Sequence, residues 1–276
     1  VPSSMMHHLI QGTCVPALGF GTWQLRGEAC VDAVKHALAL GYRHVDTAQG
    51  YENEAEVGRA LRESGVPRDE VFLVSKVRPS LFAFDDVVRS TRESVKALGV
   101  THVDLMLLHW PNPDVPVEET LEGLARLQDE GLVRHLGVSN FPPSLARRAD
   151  DAQRIFANQV EYHPFLHQRP LLQLAEARDW LLTAYSPIAK GAVVNDPVLQ
   201  EIGATHGVSP VQVTLRWLIQ QPRVAAIPKA ASAAHREANL AVFNFSLSDE
   251  EMTRIHALER EERLVNPAGG PAWERS

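Results

Sequence analysis

The stretch Gly41–Leu61, GYRHVDTAQGYENEAEVGRAL, contains a strand, a loop and the start of a helix in one continuous run. The strand is apolar and β-rich up to Val45, and an acid, Asp46, follows it directly. The helix is rich in Glu and Ala, and the loop before it carries Tyr51. Repeats of such a unit build a parallel sheet that is covered by helices. The two polar residues beyond a buried strand also require a chemical explanation.

The rest of the chain repeats this alternation of strand and helix. Further strand-like runs, apolar and β-rich, lie at residues 17–23, 71–77, 102–110, 133–140, 156–162, 180–187 and 224–230. Helix-like stretches lie at residues 29–41, 53–65, 85–99, 117–131, 168–180 and 209–221. Several of these helices end in glycine, the residue that C-terminal caps prefer.

The alternation has no linker and no break in composition, which predicts an α/β protein with a (β/α)8 TIM barrel, a single domain over residues 1–276. The alternative is an open, doubly wound sheet, which requires a glycine-rich turn after its first strand. GFGTWQ supplies Gly19 and Gly21 but has Gln24 at the third glycine position, so the barrel is favoured. We expect residues 1–8 to be a disordered or vector-derived start, and residues 260–276 to form a tail near the active-site mouth.

Composition excludes several classes of protein. The net charge of −7 argues against nucleic acid as the main partner, because phosphate contacts need a basic surface. No apolar run approaches the ~18 residues that a membrane span requires, and the N-terminus lacks the pattern of a signal peptide. Cys14 and Cys30 are expected to be free thiols in a reducing compartment. These observations predict a cytoplasmic protein that contacts no membrane, with a monomer as the default.

Polar residues stand at the ends of the predicted strands, where barrels of this class carry their active sites. In chain order these residues are Asp46, Lys76, His109, Ser139, Asn140, Gln159, Tyr185, Ser186 and Lys229. Each of them alone could be an ordinary cap or turn residue. Together at one rim they predict a functional site, because closely spaced titratable groups shift one another's pKa values.

The predicted cluster suits delivery of a proton to a developing alkoxide. An ammonium at Lys76 would stabilise the tyrosinate of Tyr51 and lower its pKa from the usual value of about 10, while Asp46 keeps Lys76 in place. A neutral His109 could donate a hydrogen bond to the same carbonyl oxygen. The cluster has no hydride source of its own, so a cofactor has to supply the hydride. No metal site is expected, since the 12 histidines show neither H-x-x-E-H nor H-E-x-x-H spacing.

The motifs of the chain, in their order and spacing, resemble those of the aldo-keto reductases over nearly its full length. They are GYRHVDTAQGYENEAEVGRAL, VSKV, VDLMLLHWP, GLVRHLGVSNF, NQVEYHP, AYSPIAKG and IPKA. Within that family the chain is most similar to bacterial 2,5-diketo-D-gluconate reductases and methylglyoxal reductases, and the tail RLVNPAGGPAWE suggests the B type of the former.

The resemblance implies a role for each matching residue. The catalytic residues would be Asp46, Tyr51, Lys76 and His109, with Tyr51 as the general acid. The residues that contact the cofactor would be Ser139, Asn140, Gln159, Tyr185, Ser186, Ile188, Lys190, Gly191, Lys229, His235, Arg236 and Asn239. Among them, Lys229 matches the residue that meets the 2′-phosphate of NADPH, and Tyr185 matches the aromatic residue on which the nicotinamide stacks.

The chain departs from the family pattern at the predicted phosphate site. The family often has Ser directly after the Lys that Lys229 matches, and Arg six residues after it. This chain has Ala230 and His235 there, with Arg236 next to them. Arginine gives bidentate contacts and is always charged, so its replacement weakens the site. We expect NADPH as the cofactor, with NADH also accepted.

The resemblance further implies a pocket for small aldehydes and ketones, including keto-sugars, methylglyoxal and aromatic aldehydes. Candidate pocket residues are Trp23, Arg78, Trp110 and Trp273. Arg78 either faces the pocket, where it would favour a carboxylate or polyol, or points to solvent. Two other functions stay open: a sensor that binds cofactor with little turnover, and an aldolase or isomerase that forms a Schiff base at Lys76.

Overall fold

Eight parallel strands follow one another around a sheet in the order in which they occur in the chain. They are β3 (Phe20–Gly21), β4 (His44–Asp46), β5 (Phe72–Val77), β6 (Val103–Leu108), β7 (Val133–Ser139), β8 (Ala157–Glu161), β9 (Leu181–Tyr185) and β10 (Val224–Ala226). The two ends of the sheet meet, because Leu18 pairs with Ala226 and the Gly19 amide donates to the Ala226 carbonyl at 2.8 Å. The computed structural model, which describes residues 5–274, is therefore a closed (β/α)8 barrel, as the alternation predicted.

Helices cover the outside of the barrel. They are α1 (Gly27–Leu40), α2 (Glu54–Ser64), α3 (Phe84–Leu98), α4 (Val117–Asp129), α5 (Pro143–Ala152), α6 (Arg169–Arg178), α7 (Pro197–His206), α8 (Pro210–Gln220), α9 (Ala233–Leu240) and α10 (Asp249–His256). Four of them, α5, α7, α9 and α10, were not among the helix-like stretches identified in the sequence. Three of those four had a capping signal, because the side chains of Asp196, Ser232 and Ser248 accept backbone N–H groups at their N-termini.

An antiparallel hairpin of β1 (His7–Ile10) and β2 (Thr13–Pro16) precedes the barrel. Its two-residue turn has positive φ at both Gln11 and Gly12, 47° and 80°, as the tight turns of hairpins require. Of the start at residues 1–8 that was expected to be disordered or vector-derived, His7 and His8 lie in a strand and are therefore ordered. Residues 1–4 of that segment, and residues 275–276 of the tail, lie outside the described residues.

Alternation along the strands sorts side chains between two cores. On β5, Phe72 and Val74 belong to a cluster inside the N-terminal half of the barrel, whereas Leu73 packs against the helices. Ile10 and Val15 of the hairpin complete the inner cluster. Because successive side chains point to opposite faces of a strand, Lys76 follows Phe72 and Val74 into the barrel, above the apolar layer. The same two-residue step leads from the inner Leu107 of β6 to a polar residue at position 109.

Candidate active site

The ammonium group of Lys76 is the centre of a polar cluster at the carboxyl end of the barrel. Its side chain is only 1% exposed. Its Nζ donates to Asp46 Oδ1 at 2.5 Å, to the Thr47 carbonyl at 3.0 Å and to Tyr51 Oη at 3.1 Å. An ammonium has three N–H bonds, so these acceptors use all of them. Tyr51 Oη is therefore an acceptor toward Lys76, and its own hydrogen is left for another partner.

Asp46 reaches Lys76 because β4 and β5 are neighbours in the sheet. Asp46 ends β4 and pairs with Val74, so Lys76, the next inward-facing residue of β5, lies two residues further along that strand. The second carboxylate oxygen, Oδ2, accepts from Gln159 Nε2 at 2.8 Å. Both oxygens of a buried carboxylate thus have partners, as buried charges require. The polar ends of β4, β5 and β8 are joined into one network.

Tyr51 lies in a single helical turn, Gln49–Tyr51, directly after β4. Asn53 holds this loop, because its Oδ1 accepts from Thr47 Oγ1 at 2.5 Å and its Nδ2 donates to the Thr22 carbonyl at 2.9 Å. The Tyr51 ring meets the His109 ring edge-on, with centroids 5.8 Å apart. The structure therefore brings Asp46, Tyr51, Lys76 and His109 together, as the strand ends predicted.

Burial and charge act in opposite directions on these groups. Burial raises the pKa of Tyr51, and although the Lys76 ammonium lowers it, the net shift is upward. The predicted effect of Lys76 on Tyr51 is therefore present, but burial outweighs the neighbouring charge, so the pKa of Tyr51 is not lowered overall. Burial, Lys76 and Arg78 lower the pKa of His109 to about 3, so the imidazole is neutral. Burial lowers the pKa of Lys76, but Asp46 and Tyr51 raise it by more, so the ammonium stays charged.

A charged Lys76 bears on the Schiff-base hypothesis. Schiff-base formation requires a neutral amine that is free to attack a carbonyl carbon. The Lys76 ammonium instead has a raised pKa and three hydrogen-bond acceptors. The geometry therefore favours the role of a fixed cation over that of a nucleophile.

Arg78 is bonded to the loop that carries Tyr51. Its Nη2 donates to the Gln49 carbonyl at 2.8 Å and lies 3.3 Å from Glu52 Oε1, and its backbone amide donates to Gln49 Oε1 at 3.0 Å. The side chain is 42% exposed. Arg78 thus neither points freely to solvent nor presents its whole guanidinium to the mouth, and it fastens the Tyr51 loop to the end of β5.

Three of the residues predicted to contact the nicotinamide, Ser139, Asn140 and Tyr185, are joined by hydrogen bonds. Ser139 Oγ donates to the Gln159 carbonyl at 2.9 Å. Asn140 has a positive φ of 61°, and its Nδ2 donates to the His109 carbonyl at 3.0 Å. Tyr185 Oη donates to Asn140 Oδ1 at 2.6 Å, which fixes the edge of the Tyr185 ring. Hydrogen bonds therefore orient these side chains in advance.

The predicted pyrophosphate loop follows β9 and has an unusual backbone. Ser186 has a φ of 47°, Lys190 of 51° and Gly191 of 93°, and Ile188 packs against the outer core. Positive φ is uncommon for residues other than glycine, and such turns direct backbone N–H groups into concavities that bind anions. Lys190 Nζ donates to the carbonyl of Leu264 in the C-terminal tail at 3.0 Å. The loop is therefore joined to the tail.

Lys229 and His235 are both exposed near the end of β10. Lys229 Nζ donates to Gln24 Oε1 at 3.0 Å, so its only hydrogen-bond partner in the described part of the chain is neutral. The His235 amide donates to the Ser232 side chain in the first turn of α9, which leaves the imidazole at the surface. Both residues are accessible to a phosphate.

Arg236, in contrast, is turned inward. Its Nη1 donates to the carbonyls of Ala230 and Ala231 at 2.9 and 2.8 Å, and its Nε lies 3.0 Å from His36 Nδ1. The side chain is buried, as is that of Asn239 one helical turn further on. Arg236 therefore stabilises the turn after β10. Its guanidinium is engaged there and does not take the place of the arginine that the family often has at the position of His235.

The structure separates the three tryptophans of the predicted pocket. Trp23 is 53% exposed, with Lys229 Nζ 5.9 Å from its ring centroid, and Trp110 is half-buried beside His109. Trp273 stacks on Arg263, whose guanidinium carbon lies 3.8 Å from its ring centroid, and it lines a hollow of about 160 Å³. Trp273 is thus held by another residue of the tail, whereas Trp23 contacts Lys229.

Glu161, at the end of β8, is a buried acid next to the site that the sequence did not single out. It is fully buried and accepts hydrogen bonds from the amides of Leu264 and Val265 at 2.8 and 2.9 Å. The signal was available in NQVEYHP, because Gln159 and Glu161 are two residues apart and so point to the same face of the strand.

Two further results concern residues 5–274 as a whole. No group of three or more His, Cys, Asp or Glu side chains among them is arranged to hold a metal ion. None of the helices in this range is both long and apolar enough to cross a membrane.

A closed (β/α)8 barrel with a buried Asp–Lys pair, a tyrosine and a neutral histidine at its mouth defines a class of oxidoreductases that use NAD(P)H. The sequence profile of the aldo/keto reductase family matches residues 17–260. This chain belongs to the aldo/keto reductase family.

Relatives match nearly the whole chain. The methylglyoxal reductase DkgB of Yersinia pestis is 39% identical over 266 residues, which cover 94% of this chain and 99% of that protein. A crystal structure provisionally assigned as a 2,5-diketo-D-gluconic acid reductase B is 44% identical, with a TM-score of 0.96 over 99% of this chain and 98% of that one. The aldo-keto reductase of Bombyx mori in complex with NADP is 29% identical, with a TM-score of 0.89 over 97% of both chains.

Proposed function

We propose that this chain is an NADPH-dependent carbonyl reductase for small aldehydes and ketones, with Tyr51 as the proton donor. The direction of the hydrogen bond between Lys76 and Tyr51 is the observation that carries the proposal. Lys76 Nζ donates to Tyr51 Oη at 3.1 Å, so the hydrogen of Tyr51 points to another acceptor. A carbonyl oxygen held between Tyr51 and His109 is that acceptor.

The proposed chemistry divides between cofactor and protein. A bound nicotinamide supplies the hydride. As negative charge develops on the carbonyl oxygen, Tyr51 donates its proton, and the Lys76 ammonium stabilises the tyrosinate that is left. The raised pKa of Tyr51, caused by burial, keeps the phenol protonated at neutral pH until this step. His109 has a pKa of about 3, so it orients the oxygen as a neutral hydrogen-bond donor.

The residues present fit a nicotinamide dinucleotide. Ser139, Asn140 and Gln159 would hold the carboxamide, and the ring of Tyr185 would support the nicotinamide. The loop of residues 186–191 would hold the pyrophosphate, since its positive φ values favour a concave, anion-binding backbone. Asn239 would lie near the adenine. These assignments are supported by the layer of hydrogen bonds that joins Ser139, Asn140 and Tyr185.

We propose that NADPH is preferred and that NADH is also used. Lys229 is an exposed cation whose partner is the neutral Gln24, so it is free to pair with a 2′-phosphate. The rest of the phosphate site is weak, because Ala230 lacks a hydroxyl and His235 lacks the fixed charge of arginine. Arg236 does not compensate, because the carbonyls of Ala230 and Ala231 occupy its guanidinium.

The proposed substrates are keto-sugars such as 2,5-diketo-D-gluconate, methylglyoxal and aromatic aldehydes. The relative named methylglyoxal reductase and the structure assigned as a diketogluconate reductase support this range. Trp23 and Trp110 would form the walls of the pocket, with Trp273 at its rim. Arg78 would contribute positive charge from the edge, since it is close enough to His109 to lower that pKa.

The test is oxidation of NADPH, and separately NADH, by the wild type and by Tyr51→Phe with methylglyoxal, an aromatic aldehyde and 2,5-diketo-D-gluconate. Tyr162→Phe is a matched control, because it removes a buried hydroxyl that donates to Gln221 at 2.6 Å, outside the cluster. We expect oxidation by the wild type and the control, and a loss of about 10²–10⁴-fold in kcat for Tyr51→Phe. Tight cofactor binding without turnover of any carbonyl would instead indicate a sensor.

A further inference from the structure

The carboxylate of Glu161 fastens the C-terminal tail to the barrel, and the proposed chemistry does not use it. Glu161 ends β8 and pairs with Tyr185 of β9, so it lies at the level of the proposed nicotinamide site. Oε1 accepts from the Leu264 amide at 2.8 Å, and Oε2 accepts from the Val265 amide at 2.9 Å. Two successive peptide groups of the tail are thereby held by one buried side chain.

His163 fixes the orientation of this carboxylate. The Phe165 amide donates to His163 Nδ1 at 3.3 Å, so Nδ1 carries no hydrogen and Nε2 does. Nε2 lies 2.9 Å from Glu161 Oε1 and donates to it. Both side chains are fully buried. Glu161 therefore accepts three N–H groups, the number that suits an ionised carboxylate, and hydrogen bonds to a charged acceptor are the stronger kind.

The anchored segment connects parts of the mouth that are far apart in sequence. Lys190 of the proposed pyrophosphate loop donates to the Leu264 carbonyl at 3.0 Å. Directly before Leu264 in the chain, Arg263 stacks on Trp273, with its guanidinium carbon 3.8 Å from the ring centroid. Glu161 therefore fixes residues 264 and 265 of the segment 263–274, here called the tail wall, at the level of Tyr185 and beside the cofactor loop.

We propose that Glu161 is a positioning residue that sets the KM for larger carbonyl substrates by fixing the tail wall, an inference that rests on the proposed function. A wall that is already ordered costs less conformational entropy when substrate binds. Arg263, at the start of the tail wall, lies close enough to Tyr185 to act on its pKa, so the wall borders the proposed site. A six-carbon substrate held by Tyr51 and His109 would extend further toward this wall than a three-carbon substrate. Loss of the anchor therefore weakens binding of the larger substrate only.

Two variants remove the anchor from opposite sides. Glu161→Gln keeps the volume but replaces one acceptor oxygen with an NH₂ group that faces the Val265 amide or His163. Val265→Pro removes the Val265 N–H from the tail and leaves every barrel residue unchanged, so it also serves if Glu161→Gln does not fold. Asp150→Asn is the control, because Asp150 is a largely buried acid that accepts the Ile155 amide at 2.9 Å, away from the tail.

Hydrogen–deuterium exchange of the tail wall and steady-state kinetics test the proposal. In both anchor variants we expect tail amides to exchange about 10–100-fold faster, since a hydrogen bond to a charged group is broken. The KM for the diketogluconate should rise about tenfold, with kcat and the KM for methylglyoxal changed by less than about twofold, the pattern of lost ground-state binding. Asp150→Asn should change neither the exchange of the tail nor the ratio of the two KM values.

Unchanged tail exchange in both variants, or an equal rise in KM for both substrates, would overturn the proposal. A wild type that reduces no carbonyl at all would refute the proposed function, and the exchange data alone would then decide whether Glu161 holds the tail. The two failures are therefore distinguishable.

Discussion

Lys76 Nζ and Tyr51 Oη lie 3.1 Å apart, and the ammonium is the donor. The other two N–H groups of Lys76 go to Asp46 and to the Thr47 carbonyl, so the ammonium cannot turn away from the phenol. The proton chemistry proposed for Tyr51 thus depends on a cation that a neighbouring strand holds in place.

In Asp46→Asn, the loss of kcat/KM at high pH should begin at a lower pH than in the wild type. Without the carboxylate, burial is opposed by less charge and the pKa of Lys76 falls, so the amine loses its proton, and with it the stabilisation of a tyrosinate, at a lower pH than in the wild type. Breaking a buried pair by removing one partner also costs about 3–5 kcal/mol of unfolding free energy. The measurements are the pH profile of carbonyl reduction and urea unfolding.

Asp104→Asn is the matched control for that variant. Asp104 lies on β6, is largely buried and accepts from Arg68 Nη2 at 2.6 Å and from the Leu73 amide at 2.9 Å. Its loss should reduce stability without moving the pH profile. An Asp46→Asn profile that coincides with that of the wild type would remove Asp46 from the proposed mechanism.

His109→Asn should make the free energy of unfolding depend less on pH in the acid range. Folding lowers the pKa of His109 from 6.5 to about 3, so between these values the unfolded chain binds a proton that the folded chain does not. Stability therefore falls as the pH falls through this window, by about 1.4 kcal/mol per pH unit from this group. Unfolding by urea at several pH values should show a slope smaller by that amount in the variant. Equal slopes would mean that His109 is protonated in the folded protein.

Lys229→Ala should weaken NADPH binding by about 10–100-fold, because a hydrogen bond between charged groups is lost. NADH lacks the 2′-phosphate, so its affinity should change by less than about twofold. Fluorescence titration with each cofactor measures both. An equal loss for the two cofactors would exclude Lys229 from the phosphate site.

His235→Arg should have the opposite effect and strengthen NADPH binding relative to NADH. His235 is exposed in the first turn of α9, so a guanidinium there can reach a phosphate. The gain should be lost at high salt, which screens exposed charges. If the ratio of the two affinities did not move, the phosphate would have to bind elsewhere.

Gly58→Ala should destabilise the fold without touching the site. A Cβ at this position of α2 would lie 2.1 Å from the Leu98 carbonyl oxygen at the end of α3, so the two helices would have to separate. Overpacking of this kind costs about 1–3 kcal/mol. Thermal unfolding checks the loss, and Ala55→Gly, on the exposed face of the same helix, should cost only its helix propensity of about 1 kcal/mol.

The strands of the barrel could be predicted because each one is an apolar run that ends in a polar residue. The two-residue period then predicts which polar residues share the mouth. It leads from Val74 to Lys76 on β5 and from Ala157 to Gln159 and Glu161 on β8, all facing inward. The contact between Asp46 and Lys76 follows from the strand order, because consecutive parallel strands joined by right-handed crossovers lie side by side in the barrel.

Other features depend on distances that sequence does not encode. The net pKa of Tyr51 is the balance of burial against one charge, and only the packed loop decides which is larger. The inward turn of Arg236 depends on the carbonyls of Ala230 and Ala231, which are backbone groups and leave no mark on the sequence. The tail wall has no regular secondary structure and contacts the barrel through Glu161, so no periodic sequence pattern predicts its position.

The hairpin of β1 and β2 covers one end of the barrel, so that only the carboxyl end of the strands is open to ligands. Ile10 and Val15 close its N-terminal end from inside, so ligands can enter and leave only at the carboxyl end. Whatever binds deepest must arrive first and depart last. A cofactor bound as proposed would share this one passage with the substrate, so the exchange of one would depend on the departure of the other.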